Sequence, residues 1–306
     1  MLRHRWTWLA GATGTLALAI GWSVVSAKTP AKPVDWAALN PAFAGATFVN
    51  NPETCRTCHE DAMAPYAHTT HALAFGTTPP ETSGECESCH GPRSAHVENP
   101  TAELRIDRSS KAGSAICLQC HQGKSRFGWK AGAHHSNDVS CSSCHAVMAK
   151  KSERALLVKA TVTETCYQCH GEVRAETNKM SHHPVREGRM DCAACHNAHG
   201  GTPRLLIKPT VNETCVTCHA EKRGPFVWEH APARESCATC HTPHGSNQRN
   251  LLTAKDPFLC LSCHNYGGHI NLPRYNRVSN PYGNGCSNCH LSVHGSNHPS
   301  GAKLTR

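Results

Sequence analysis

Hydrophobic residues are unevenly distributed along the chain. The one long apolar run is Trp6 to Val25, and beyond it hydrophobic side chains occur in short groups between polar residues, glycines and prolines. No later segment has the long apolar periodicity that a Rossmann domain, a TIM barrel or a helical bundle requires. The pattern therefore predicts sparse secondary structure, with short helices joined by loops that contain Gly and Pro.

The composition explains why such a chain needs an unusual core. Leu, Ile, Val and Phe number 46 among 306 residues, and aromatic residues are 6%. This is below the level at which a chain normally builds a hydrophobic core, and by itself it would indicate disorder. The chain also has 20 Cys and 24 His, so we expect something other than apolar packing to hold it together.

All twenty cysteines fall into ten Cys-x-x-Cys pairs, and a histidine follows each pair at once. This is the motif for covalent attachment of haem c, in which the two thiols bind the porphyrin edge and the histidine is the proximal iron ligand. Disulfides, zinc sites and thioredoxin-like redox sites do not require a histidine after every pair. The sequence therefore predicts ten covalently attached haem c groups.

The predicted haem-bearing cysteines are Cys55, Cys58, Cys86, Cys89, Cys117, Cys120, Cys141, Cys144, Cys166, Cys169, Cys192, Cys195, Cys215, Cys218, Cys237, Cys240, Cys260, Cys263, Cys286 and Cys289. The predicted proximal ligands are His59, His90, His121, His145, His170, His196, His219, His241, His264 and His290.

The motifs repeat in pairs with a period near 50 residues. Numbered by their first cysteines, the pairs are 55 and 86, 117 and 141, 166 and 192, 215 and 237, and 260 and 286, which we call units one to five, each with a first and a second motif. Such a period indicates an array whose units cannot bury themselves alone. The predicted fold is a multihaem cytochrome c with little regular secondary structure, in which short helices and loops wrap a chain of ten haems in five dihaem repeats.

Histidines outside the motifs supply candidates for the second axial ligand. Each unit has a histidine between its two motifs, and four units have another just past the second motif. Unit two has Met148 at that second place, and Met is also a haem ligand. The predicted distal ligands are His71, His96, His134, Met148, His183, His199, His230, His244, His269 and His294.

Several of these assignments have alternatives. His68, His135 and His182 are the other members of histidine pairs and could replace their neighbours as ligands. Met148 could instead pack without binding iron, in which case one of these histidines would be the tenth ligand. We expect His298 to be a surface residue.

The N-terminus has the features of a secretory signal peptide. A basic start at Arg3 and Arg5 precedes the apolar run, and Val25-Ser26-Ala27 places small residues at a cleavage site. A retained membrane anchor is the alternative reading of this stretch. The predicted organisation is a signal peptide at 1–27, an extended leader at 28–50 and one decahaem domain at 51–306.

The formal charge of +9 does not indicate nucleic acid binding. Loss of Arg3 and Arg5 with the signal peptide leaves +7, and two propionates on each haem bring the total to a slightly negative value. We therefore expect many Lys and Arg side chains to pair with propionates, and no nucleic acid partner.

Iron with two protein ligands has no open position for a substrate, which favours an electron carrier over an enzyme. The sequence resembles the decahaem cytochromes of the MtrA/DmsE family, which includes MtoA- and PioA-like cytochromes. The resemblance covers residues 50–306 and is most specific at 212–232, 237–245 and 293–301.

The resemblance implies a periplasmic cytochrome associated with the outer membrane. There it would sit in a β-barrel porin, with bis-His haems, and pass electrons between periplasmic partners and extracellular ones, for metal reduction or Fe(II) oxidation. The periplasmic partners would be quinol-linked or soluble cytochromes. A soluble periplasmic shuttle and a multihaem terminal reductase are the alternatives.

Overall fold

The computed structural model describes residues 33–76, 84–100, 104–123, 126, 128–265, 285–299 and 301–305. The predicted signal peptide and His269 lie outside the described residues. Residues 33–306 cluster as one unit of the structure.

The described chain has only short helices and isolated β-bridges between loops, which confirms the predicted fold class. The α-helices are Trp36–Leu39, Pro52–Arg56, Glu60–Ala67, Thr70–Gly76, Glu85–His90, Ser94–Glu98, Ser114–Leu118, Ala133–Ser136, Val162–Cys166, Gly171–Glu176, Val211–Cys215, Ala231–Glu235 and Phe258–Leu261. The 3₁₀ turns are Pro41–Phe43, Trp129–Ala131, Cys141–Ser143, Cys192–Ala194, Pro203–Leu205, Ala220–Lys222, Cys237–Thr239, Arg249–Leu251, Cys286–Asn288 and Gly301–Lys303.

The first motif of each unit begins on a short α-helix. In unit three the helix Val162–Cys166 starts with a capping box, in which Thr161 and Glu164 bond each other's backbone N–H groups. The helix ends at the first cysteine of the motif, and the backbone N–H of His170 still donates to the Cys166 carbonyl at 3.0 Å. This turn therefore places the two thiols and the histidine on neighbouring positions of one helical turn.

The second motif of units two, three and four has a different and repeated form. In unit three a 3₁₀ turn, Cys192–Ala194, leads to an antiparallel bridge between His196 and Leu206. Units two and four repeat this bridge as His145 with Leu157 and His241 with Leu252. The connecting loop turns back through residues in the left-handed conformation, such as Arg204. As a result the Arg204 carbonyl lies beside the ring of the motif histidine, His196.

Unit one departs from this repeat. Its second motif lies on an α-helix, Glu85–His90, and the helix ends at Gly91 with a φ of 78°. The leader packs against this motif, because buried Glu87 accepts hydrogen bonds from the backbone N–H groups of Val49 and Asn50 at 3.0 and 2.7 Å.

The sequence predicted an extended leader, but its described part is not wholly extended. A helix spans Trp36–Leu39, and the Phe43 side chain is buried beneath the guanidinium of Arg93, which lies 5.2 Å from the ring centre. The reason is local: Asp35 and Asn40 cap two short turns, and two aromatic rings give the leader apolar surface to bury.

Bridges also join successive units. Ser181 of unit three pairs with Ser246 of unit four, and Trp228 of unit four pairs with Ser296 of unit five. In both cases the segment between the motifs of one unit meets the segment past the second motif of the next.

The core formed by side chains is small. Among the described residues the buried hydrophobic side chains are those of Phe43, Leu104, Ile116, Trp129, Leu156 and Leu157. None of the helices in the described part of the chain has the length and apolarity needed to cross a membrane.

Candidate haem-binding sites

Eight motif histidines face a second histidine ring. The ring centres of these pairs are 5.9 to 6.3 Å apart, and each pair combines one motif histidine with one histidine outside the motifs. The pairs are His59 with His96, His121 with His71, His170 with His134, His145 with His199, His219 with His183, His196 with His244, His264 with His230, and His241 with His294.

This spacing matches an iron ion held between two imidazoles. Ligand nitrogens about 2 Å from the metal on opposite sides put the two ring centres roughly 6 Å apart. Ordinary aromatic pairs also have ring centres roughly 4.5 to 7 Å apart, but here every pair joins a motif histidine to a histidine outside the motifs. The geometry therefore brings eight of the ten predicted distal ligands opposite motif histidines.

The pairs follow one register along the array. A histidine between the motifs of one unit faces the first motif of the next unit, as His134 of unit two faces His170 of unit three. A second-motif histidine faces the ligand past the second motif of the next unit, as His145 faces His199. His59 and His96 are the exception, because both belong to unit one.

Backbone carbonyls orient the second-motif histidines of units two to five. Each Nδ1 lies 2.6 to 3.1 Å from a carbonyl oxygen of the following loop, which leaves Nε2 for the iron. The carbonyls belong to Ala155, Arg204, Asn250 and Lys303. A hydrogen bond of this kind fixes the tautomer and the ring orientation of a metal ligand.

The distal histidines have carbonyl partners of their own. Nδ1 of His134 lies 2.8 Å from the carbonyl of Ala198, the residue just before His199. His183 and His230 repeat this contact with Pro243 and Val293, the residues just before His244 and His294. Each such contact joins one predicted distal ligand to the loop that carries another predicted one.

The structure also separates the members of the histidine pairs. His182 lies within hydrogen-bond distance of a partner at each ring nitrogen, the Lys179 carbonyl at 2.6 Å and the Glu187 carboxylate at 3.1 Å. The His135 ring lies 5.9 Å from the Trp129 ring. The neighbours of these two, His183 and His134, are the ones that face motif histidines, and His71 does so next to His68.

Met148 occupies the backbone position of a distal ligand. In units two, three and four the residue after the haem histidine donates to a carbonyl across the bridge, through Ala146, Asn197 and Thr242. Two residues further along the same turn stand Met148, His199 and His244. The register pairs this position with the second motif of the preceding unit, which for Met148 is His90.

His90 has no histidine ring facing it among the described residues, in contrast to its counterparts in units two, three and four. Its Nδ1 lies 2.9 Å from Nη2 of Arg108. Burial, together with the charges of Arg108, Arg93 and His59, lowers the pKa of His90 to about 4. The ring is therefore in its neutral form, which is the form that binds a metal.

Burial lowers the pKa of several other rings in the pairs. His199 and His294 are shifted downward mainly by desolvation, and His71 and His196 in the same way. Neutral imidazole is thus favoured on both the proximal and the distal side.

Orphaned polar atoms test whether haem fits these sites. Arg126 Nε, Trp129 Nε1 and His135 Nδ1 are buried without a hydrogen-bond partner, and carboxylate groups such as propionates would satisfy all three. The Trp129 ring lies 6.3 Å from the ring of His199, one of the paired histidines. These donors therefore fit the propionates of a haem.

Comparison with known proteins identifies the class. Residues 79–126, 134–175, 182–224 and 230–269 match the family model of the doubled CXXCH motif, and these segments cover more than half of the chain. The chain therefore belongs to this family of multihaem c-type cytochromes, which bind haem covalently and transfer electrons. Each matched segment spans the second motif of one unit and the first motif of the next, so it joins successive units, as most of the histidine pairs do.

A particular relative narrows the class. The chain is 40% identical, over 196 residues, to the multiheme cytochrome MtrA of Shewanella baltica (strain OS185). The match covers 60% of this chain and 58% of the relative, so it spans less than two thirds of that protein. The resemblance to the MtrA family stated from the sequence is confirmed.

The sequence alone did not reveal which ligand faces which motif. The distal histidines were candidates from their positions, but the offset of one unit between partners appears only in the folded chain. The Arg108 contact was also missed, since no motif marks it. The family model pairs the second motif of one unit with the first motif of the next. That grouping is the signal that could have indicated that ligands come from neighbouring units.

Proposed function

We propose that this chain is an exported cytochrome that holds ten haems and carries electrons across the outer membrane inside a β-barrel porin. The observation that carries the proposal is the register, in which seven of the eight histidine pairs join successive units. Because neighbouring units share ligands, the proposed haem sites would follow one another in the order of the units, as electron transfer along the array requires.

Each of the ten motifs would hold one haem through its two thiols and its histidine. The eight facing histidines complete eight sites, Met148 completes the site of His90, and His269 is the remaining candidate for His290. A bound haem c supplies reversible one-electron chemistry between ferric and ferrous iron. With both axial positions filled by the chain, substrate would have no access to iron, which supports an electron carrier that is not an enzyme.

The porin is proposed because polar backbone and propionates cannot face lipid. An array with short helices and loops leaves many backbone groups without internal partners, so a path through a membrane needs a protein wall around it. The family resemblance stated from the sequence implies the same arrangement. The other proposed partners are redox proteins on the periplasmic and the extracellular side.

Reconstitution tests the proposal. The holoprotein would be expressed with and without a candidate porin from the same genome, purified, and inserted into vesicles that enclose a redox dye. We expect the cytochrome to co-purify with the porin and the enclosed dye to be reduced by an external donor only when both proteins are present. Recovery of the cytochrome solely as a free monomer in the presence of the porin would contradict the conduit and favour a periplasmic shuttle.

A second measurement separates the carrier from a reductase. All haems of the isolated protein should be low-spin, and their spectra should not respond to small oxyanions or sulfoxides. A high-spin signal that changes on addition of such a compound would instead support a terminal reductase.

A further inference from the structure

The second-motif histidine of unit one differs from its four counterparts at Nδ1. In units two to five this nitrogen faces a backbone carbonyl, whereas at His90 it faces the Nη2 atom of Arg108 at 2.9 Å. The loop that supplies the carbonyl elsewhere is replaced in unit one by Gly91 and a following helix, Ser94–Glu98. An acceptor has thus been replaced by a permanent positive charge.

Arg108 is held in place from two sides. Its Nη2 also lies 3.3 Å from the carbonyl of Cys89, and its own carbonyl accepts a hydrogen bond from the Ser142 hydroxyl at 2.6 Å. Gly113 packs so closely that a Cβ atom there would lie 2.7 Å from the Arg108 Cα atom. The guanidinium is therefore fixed at the junction between unit one and unit two.

The charge of Arg108 has no carboxylate partner in the described part of the chain. Its hydrogen bonds go to the His90 ring and to the Cys89 carbonyl. The nearby guanidinium of Arg93 adds a second positive charge. The carboxylate of Glu87 accepts hydrogen bonds from the backbone N–H groups of Arg93 and Val49. The charges that act on His90 are therefore mainly positive.

The two arrangements act on a bound iron in opposite directions. A carbonyl that accepts the Nδ1 proton makes the imidazole more basic, which favours ferric iron. A guanidinium only donates and stays charged, so it favours the state with less positive charge, which is ferrous iron. With Nε2 on the metal and a proton on Nδ1, the ring and the guanidinium would both be donors, so Nη2 would turn away from Nδ1. The guanidinium would keep its contact with the Cys89 carbonyl, and its charge would stay close to the ring.

We propose that Arg108 raises the reduction potential of the haem attached at Cys86 and Cys89. The proposal rests on the axial role of His90 but not on the porin or on Met148. Arg108 acts as a positioning residue through His90 and touches no substrate. At a fixed potential its charge should raise the ratio of reduced to oxidised iron at this site by a factor on the order of ten, which corresponds to about 59 mV for one electron.

The test is a potentiometric titration of the purified holoprotein. Each haem contributes about one tenth of the absorbance change, and one tenth of the titration should move to lower potential in Arg108→Gln. Arg108→Lys keeps the charge and should retain most of the elevated potential. Arg223→Gln removes an exposed arginine elsewhere and is the matched control, which should titrate as the wild type.

Haem content is measured by mass for every variant, so that loss of a haem is not mistaken for a shift. If Arg108→Gln loses its haem, the uncharged variant Arg108→Met is titrated in its place and should show the same shift to lower potential. A titration of Arg108→Gln identical to wild type would overturn the proposal. A shift in Arg108→Lys as large as that in Arg108→Gln would do so as well, because it would show that geometry and not charge sets the potential.

Discussion

Unit one and units two to five solve the same problem in two ways. In units two to four a 3₁₀ turn and a single bridge deliver a carbonyl to the second-motif histidine, and unit five delivers one from Lys303. Unit one uses an α-helix, a charged neighbour and a leader that packs on the motif. The motif turn is thus common to all of these sites, while the surroundings of the histidine differ between unit one and the other units.

The largest expected effect concerns the whole array. Without the haem-attachment machinery the chain should lose nearly all of its helical circular dichroism signal, because its buried side chains are too few to replace the haem faces. Limited proteolysis would show whether the leader and unit one resist longer than the other units. A cooperative, protease-resistant apoprotein would refute the prediction, because it would show that all five units fold without haem.

The next effect is confined to one site. Met148→Ala should abolish a near-infrared magnetic circular dichroism band of the His/Met type while leaving the bis-His bands of the other haems, because a thioether and an imidazole give different ligand fields. Met148→His is the matched variant and should convert that band to the bis-His type. A wild-type spectrum wholly of the bis-His type would rule Met148 out and pass the tenth site to His68, His135, His182 or His298.

A smaller effect is expected where the leader meets unit one. Glu87→Gln keeps the shape but weakens charge-assisted bonds to backbone N–H groups, each worth about 1.5–3 kcal/mol, so residues near Val49 should exchange amide hydrogen faster. Glu153→Gln changes an exposed carboxylate and serves as the control. Unchanged exchange across the leader in Glu87→Gln would show that the leader is held by its aromatic contacts alone.

The smallest effect tests the helix caps of units three and four. Thr161→Ala removes one capping box and should reduce the free energy of unfolding by about 1 kcal/mol, measured in denaturant on the holoprotein. Thr161→Ser, which keeps the hydroxyl, should lie close to wild type. Thr210→Ala should match Thr161→Ala, and a large difference between the two would argue against equivalent units.

Sequence reasoning reached the chemistry of the chain because that chemistry is local. The cysteines and the histidine of a motif lie within one helical turn, so their spacing alone indicates their role. The capped helix before Cys166 could be inferred in the same way, since Thr161 and Glu164 are three residues apart.

The rest depends on distant contacts. Ring pairs such as His145 with His199 join residues more than fifty positions apart, and no pattern within one unit encodes that distance. The prediction of an extended leader was wrong for the described part of the leader. Its two short capped turns and the burial of Phe43 leave no periodic signal in the sequence. Arg108 was missed for the same reason, because its importance comes from where its charge lies in space.

The one-unit offset of the ligands also dictates an order of assembly. A chain that crosses a membrane from its N-terminus presents unit one first, and His59 finds His96 within that unit. In the proposed export, His145 would meet His199 only after unit three has followed unit two, so each inner unit would cross the membrane before its last proposed ligands. The haem sites would then be completed one after another from the N-terminus. Because the offset is the same in every inner unit, a whole unit could be gained or lost without changing the pairing in the units that remain.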